Sequence, residues 1–183
     1  MTRKELLERY AAGERDFRRA ELTKADLREL DLSGSNFTEA HMEGLILQGA
    51  NLRNCNFLSA SLSYANLIDA DLRECNFLEA VLYNTNLSGA NLSNTILALA
   101  WFVGANLNAA NLSYASLDGT SLQNASLTDA LLENTNFSYT TLVNTNMKNA
   151  TLINTRFSNC LYRQTILPNG SITDDGCSIA NSH

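Results

Sequence analysis

From Phe17 to Ile172 every fifth residue is large and apolar, and the phase never slips. These 32 positions hold 21 Leu, seven Phe, two Met, one Ile and one Tyr. Two residues before each of them, 29 of the 32 positions hold Ala, Thr, Cys, Ser or Gly; Arg15, Leu30 and Leu45 are the exceptions. An α-helix cannot use this pattern, because five residues advance it by about 500° and successive leucines would drift around the cylinder. In an extended segment, residues two apart share a face, so the small and the large residue of each five both point inward. The remaining residues, rich in Asn, Asp, Gly and Ser, suit a corner. Each pentapeptide is thus one side of a coil.

The number of sides also follows from the sequence. All seven phenylalanines take the central phase, and Phe17, Phe37, Phe57, Phe77, Phe137 and Phe157 are separated by multiples of 20. A 20-residue period means four sides per coil and about eight coils, with Phe stacked on Phe along one interior wall. The fold class expected is all-β, a β-solenoid.

The recurring units Ala50-Asn51-Leu52, Ala70-Asp71-Leu72, Ala90-Asn91-Leu92, Ala105-Asn106-Leu107 and Ala110-Asn111-Leu112 resemble the pentapeptide-repeat family. The resemblance covers most of the chain. It implies a right-handed quadrilateral β-helix; the handedness comes from the family, not from the periodicity. The family is largely bacterial, and most of its members have no known biochemical role.

An open solenoid needs its ends covered. Thr2 and Glu5 form a capping box, Leu6, Leu7 and Tyr10 share one side, and Gly13 supplies a stop, so residues 1–13 are expected to be a capping helix over the first coil. The repeat body is expected over 15–173. Pro168-Asn169-Gly170 breaks the repeat chemistry, and 174–183, without an apolar pattern, is expected to be a flexible tail.

A net charge of −6 argues against direct nucleic-acid binding, which needs an excess of Lys and Arg. The charge is uneven: residues 1–31 carry eight acidic and eight basic side chains, whereas 80–147 contain only Asp118, Asp129 and Glu133. The first residues are charged where a signal peptide would be apolar, and no stretch approaches a membrane span; a cytoplasmic protein without membrane contact is expected. Cys55, Cys75 and Cys160 occupy small inward positions and are expected to be reduced structural thiols, with Cys177 in the tail. The inward threonines (Thr85, Thr95, Thr120, Thr135, Thr140, Thr145, Thr155, Thr165) need partners, and neighbouring backbone carbonyls are the expected acceptors.

The inventory for catalysis is thin. The histidines are His41 and His183, and no metal-ligand spacing, phosphate loop or nucleophile motif is present. Asp69 and Asp71 fall on outward positions, and triplets such as Asn91-Leu92-Ser93 are by-products of an Asn-rich repeat. No catalytic, cofactor-binding or metal-binding residue is assigned, and no cofactor is expected.

One segment departs from the repeat. In 96–103, Leu97 and Phe102 are core by phase, which leaves Ile96, Ala98, Leu99, Trp101 and Val103 facing outward. Stepping back by coils adds Leu78, Val81, Tyr83 and Leu58. Together Leu58, Leu78, Val81, Tyr83, Ile96, Leu99, Trp101 and Val103 form a candidate protein-interaction patch around one corner. The leading reading is a non-enzymatic interaction or regulatory module with an unidentified protein partner, either monomeric or dimeric through the patch. A second reading, implied by the quinolone-resistance branch of the family, is mimicry of DNA against a type II topoisomerase (gyrase). The sparse charge and the lack of a C-terminal dimerisation helix depart from that branch. A third is a purely structural or stress-related rod.

Overall fold

The computed structural model describes residues 1–174. Between Asp16 and Ile166 the chain winds into a β-solenoid in which parallel bridges join every fifth residue to the one 20 positions on. The register Asp16–Asn36–Asn56–Asn76–Ile96–Ser116–Asn136–Arg156 counts eight coils. The inferred 20-residue period is therefore the rise of one turn of the coil, set by closure after four pentapeptides.

Each five-residue side repeats one local solution. Its first residue makes the bridge, and its second buries a large side chain; Leu52, Leu72, Leu92 and Leu112 have no exposed surface. The fourth residue turns the corner with positive φ (52° at Asn84, 60° at Asn94, 59° at Asn124). Asn tolerates this region at lower cost than most side chains, which accounts for its frequency at the corners. The fifth residue is small and points inward. Where the first residue is Asn or Asp, its side chain accepts the N–H two residues on, as Asn56 does from Leu58 at 3.1 Å and Asn76 from Leu78 at 3.0 Å. That bond pre-forms each corner.

The core runs the length of the rod. Phe17, Phe37, Phe57 and Phe77 stack with ring centroids 5.6, 5.4 and 4.7 Å apart, and Phe137 stacks on Phe157 at 4.9 Å. The inward hydroxyls find the expected backbone acceptors in a regular way. Thr85, Thr120, Thr135, Thr140, Thr145, Thr155 and Thr165 each donate to the carbonyl 23 residues earlier, at 2.6–2.9 Å. Thr95 instead donates to its own coil, at Leu92 O.

At the N-terminal end lies helix α1, Arg3–Ala11, with Thr2 as its N-cap accepting from Glu5 N at 3.2 Å. Leu6 is fully buried against the first coil. The first coil also presents carbonyls that no earlier coil can use. The Met1 ammonium bonds to Glu21 O, Arg3 to Asp26 O and the Tyr10 hydroxyl to Ser33 O. The helix therefore covers apolar surface and supplies donors in one piece. Arg15, an exception to the small-residue rule, is exposed and lies with its guanidinium 3.5 Å from the centre of the Tyr10 ring. Leu45 is fully buried and Leu30 partly so, which makes room for two oversized residues near the capped end.

The other end departs from the expected phase. Thr141–Val143 (β1) and Leu161–Arg163 (β2) pair in parallel, whereas Thr165–Ile166 (β3) pairs antiparallel with Ile172–Thr173 (β4). Ile172, expected in the core, is 61% exposed. The chain reverses through the turn that closes Leu167 N onto Ser171 O, so 172 no longer follows the coil. It faces Ile166, a bridge residue, and directly opposed residues share a face. Of the expected 174–183 tail, residues 175–183, which include Cys177 and His183, lie outside the described residues, while Asp174 accepts from Gln164 N at 2.7 Å.

Candidate interaction surface

The outward residues of the 96–103 segment sit on two adjoining sides of the coil. Ile96 is the bridge residue of one side, in register with Asn76 and Ser116; Trp101 is the bridge residue of the next, in register with Val81 and Ser121. Leu99 turns the corner between them with φ of 58°. Both sequence steps, five along the chain and 20 between coils, thus bring the segment into one area.

The structure divides the eight candidate residues in two. Tyr83, Ile96, Leu99 and Trp101 are 37%, 48%, 50% and 49% exposed, whereas Leu58, Leu78, Val81 and Val103 are half-buried among them. Trp101 meets Tyr83 edge-on, with ring centroids 6.4 Å apart and planes at 87°. Aromatic pairs favour this contact, and it leaves half of the indole in solvent. Leu99 leans over the following coil: its Cδ2 lies 2.8 Å from where a Cβ on Gly119 would be. Only a glycine at 119, itself at φ of 67°, allows the leucine to lie flat there.

Sequence inspection missed other exposed apolar residues. Tyr64, Tyr114 and Tyr139 occupy corners at positive φ and are 68%, 57% and 64% exposed. The corner phase holds any residue outward, so the same five-residue count would have found them. Leu161 and Ile153 are exposed because they belong to the last coil.

The side chains with possible metal or redox chemistry are placed otherwise. Cys55 and Cys75 occupy equivalent positions in adjacent coils, fully enclosed, with their thiols donating to Leu32 O and Leu52 O at 3.2 and 2.9 Å. Cys160 does the same to Phe137 O. These are the bonds the inward threonines make, so cysteine and threonine are interchangeable fillers of one position. Burial pushes the Cys55 thiol from 9.0 up to about 12 and raises Cys75 as well. Native protein at pH 8 should therefore leave both unmodified by iodoacetamide, while urea-unfolded protein is alkylated, as read by intact mass. Between the ordinary thiol range and pH 12, the folded state holds protons that the unfolded state has lost. These two thiols thus make stability fall as pH rises through that window.

His41 is exposed, 3.9 Å from both Glu21 and Glu43. Asp71 pairs with Arg73, which, with desolvation opposing, holds its carboxyl below the usual carboxylate range. Among the described residues no group of three or more His, Cys, Asp or Glu is arranged to hold a metal ion, and no helix is long and apolar enough to cross a membrane.

The repeat is shared with known proteins. A search of curated protein sequences finds no significant match. Among solved structures, the chain is similar to HetL, a pentapeptide repeat protein involved in heterocyst differentiation regulation from the cyanobacterium Nostoc. The two are 25% identical over 94% of this chain and 100% of that one, with a TM-score of 0.33. It is also similar to Rfr23 from the cyanobacterium Cyanothece, at 22% identity over 86% and 97% of the chains and a TM-score of 0.34. Full-length QnrB1, a plasmid-mediated fluoroquinolone resistance protein, shows 16% identity over 76% and 80%, with a TM-score of 0.35. The family model "Pentapeptide repeats" matches in eight copies, over residues 16–54, 60–97, 100–129 and 125–161. This chain belongs to the pentapeptide repeat family.

Proposed function

We propose that the protein is a non-enzymatic interaction module, a right-handed quadrilateral β-helix that presents the Trp101 corner to a protein partner. The cross-section and handedness are those the family resemblance implies. The observation that carries the reading is the exposure of Trp101, Leu99 and Ile96 on a rod whose outward positions are otherwise mostly polar. Half-exposed aromatic and aliphatic side chains on a rigid backbone lose little entropy on docking, and Trp is a frequent anchor of protein interfaces.

Charge favours this reading over mimicry of a nucleic acid. A DNA-like surface needs dense negative charge, but 80–147 contain three acidic residues and 134–173 contain none.

The test compares wild type with Trp101→Glu in pull-downs from native lysate, read by mass spectrometry, together with sedimentation of each protein alone. The outward site leaves the fold intact, so the melting temperature should be unchanged. The expected result is a protein recovered by wild type and lost from the variant, or a wild-type dimer that Trp101→Glu dissociates. Equal recovery by both, with both monomeric, removes the patch. Topoisomerase subunits recovered by both would restore the mimicry reading, and no recovery by either would favour a purely structural rod.

A further inference from the structure

The hydrogen-bond ladder of the solenoid has a direction. On each side, two N–H groups point toward the following coil, as Phe137 N and Tyr139 N do toward Arg156 O and Ser158 O. One carbonyl points the same way, as Thr135 O does toward Arg156 N. A free C-terminal end is therefore rich in donors, and a free N-terminal end is rich in acceptors. Three of the N-terminal acceptors, the carbonyls of Glu21, Asp26 and Ser33, are taken by Met1, Arg3 and Tyr10. At the C-terminal end, the N–H groups of Leu152, Asn154, Phe157 and Asn159 donate no hydrogen bond among the described residues. Leu152 and Phe157, fully enclosed at the equivalent positions of the interior coils, are only partly buried there. Among the described residues, two sides of the last coil thus have backbone donors without acceptors beside an incompletely covered core, a combination folded proteins ordinarily close off.

Two further features specify what would fit. Residues 134–173 contain Lys148, Arg156 and Arg163 and no Asp or Glu, although the chain as a whole has 19 acidic residues. All three cations are exposed and make no ion pair among the described residues. On the adjoining side, the Asp174 carboxylate already stands where a next coil would be, accepting from Gln164 N and Nε2 at 2.7 and 2.9 Å.

We propose that the C-terminal end receives an extended acidic segment of another protein. Its carbonyl and carboxylate oxygens accept from Leu152, Asn154, Phe157 and Asn159, and Lys148, Arg156 and Arg163 face its charge. A second copy fits less well. Tail to tail, it sets two donor-rich, positively charged ends against each other; head to tail, it meets α1. This surface is separate from the Trp101 corner, and the inference does not depend on that reading.

The test uses the full chain and a fluorescent peptide of alternating Glu and Val, with the Lys–Val peptide as control. Binding is followed by anisotropy, and amide exchange by NMR. The expected result is binding of the acidic peptide alone, with slowed exchange at Leu152, Asn154, Phe157 and Asn159. Arg156→Glu with Arg163→Glu should weaken binding at least about tenfold, and Trp101→Glu should leave it unchanged. Equal binding of the Lys peptide, or no change at those four amides, overturns the proposal. So does protection of these amides in the free protein: at all concentrations it would assign the end to the chain's own residues beyond 174, and only at high concentration to a second copy.

Discussion

Phe77→Ala should lower the unfolding free energy by about 3–5 kcal/mol, the range for truncating a buried aromatic ring. Phe77 has no exposed surface, and its ring lies 4.7 Å from Phe57 and within 10° of parallel. It is also the last ring of the four-member stack, with Leu97 in the next coil. The cost should fall at the upper end, because the backbone around the cavity cannot close in. Phe77 N is bonded to Ile96 O at 2.7 Å and Asn76 N to Cys55 O at 3.0 Å, so both neighbouring coils hold it at fixed spacing. Phe77→Leu, which installs the residue most sides already use and leaves a smaller cavity, should cost clearly less than Phe77→Ala. Urea unfolding of the three proteins checks this. If Phe77→Ala cost no more than Phe77→Leu, the wall would be deformable and the stack incidental.

Leu6→Asp should detach the N-terminal cap. Leu6 is the buried residue of α1, and an unpaired carboxylate in its place would cost several kcal/mol, more than a nine-residue helix on the surface can offset. The helix should lift instead, taking with it the donors on Glu21 O, Asp26 O and Ser33 O. Amides of the first coil, such as Leu22 and Leu27, should exchange at least about tenfold faster, while Leu92 and Leu112 in mid-rod stay unchanged. An acceptor-rich edge and a bare core end would also be exposed, so light scattering should show association that rises with concentration. Unchanged first-coil exchange would mean that the coil closes without its helix.

The repeat made most of the architecture legible because it is a local rule applied without a slip. From Phe17 to Met147 the central residues are buried as the five-residue phase demands, and the spacing of the phenylalanines predicted the bridges between residues 20 apart. The capping helix was legible from Thr2, Glu5 and Gly13. Ile172 was not, since its type continues the phase while the reversal at 168–170 removes it from the coil. The candidate patch was assembled by counting along the repeat, but the division of its residues into four exposed and four half-buried was not legible that way. It depends on how far Leu99 leans over Gly119 and how Trp101 meets Tyr83.

By itself, the sequence determined the period, the core, the family resemblance and the kind of side chain at every phase. These follow from which residues can be buried and which can turn a corner, and both are properties of single residues and their near neighbours. The tertiary structure decided what the ends do. That Met1, Arg3 and Tyr10 would reach the carbonyls of residues 21, 26 and 33, and that the N–H groups of Leu152, Asn154, Phe157 and Asn159 would find no acceptor among the described residues, depends on the direction of the ladder. That direction exists only once coils are stacked, because a backbone donor is satisfied or left open by a residue about 20 positions away.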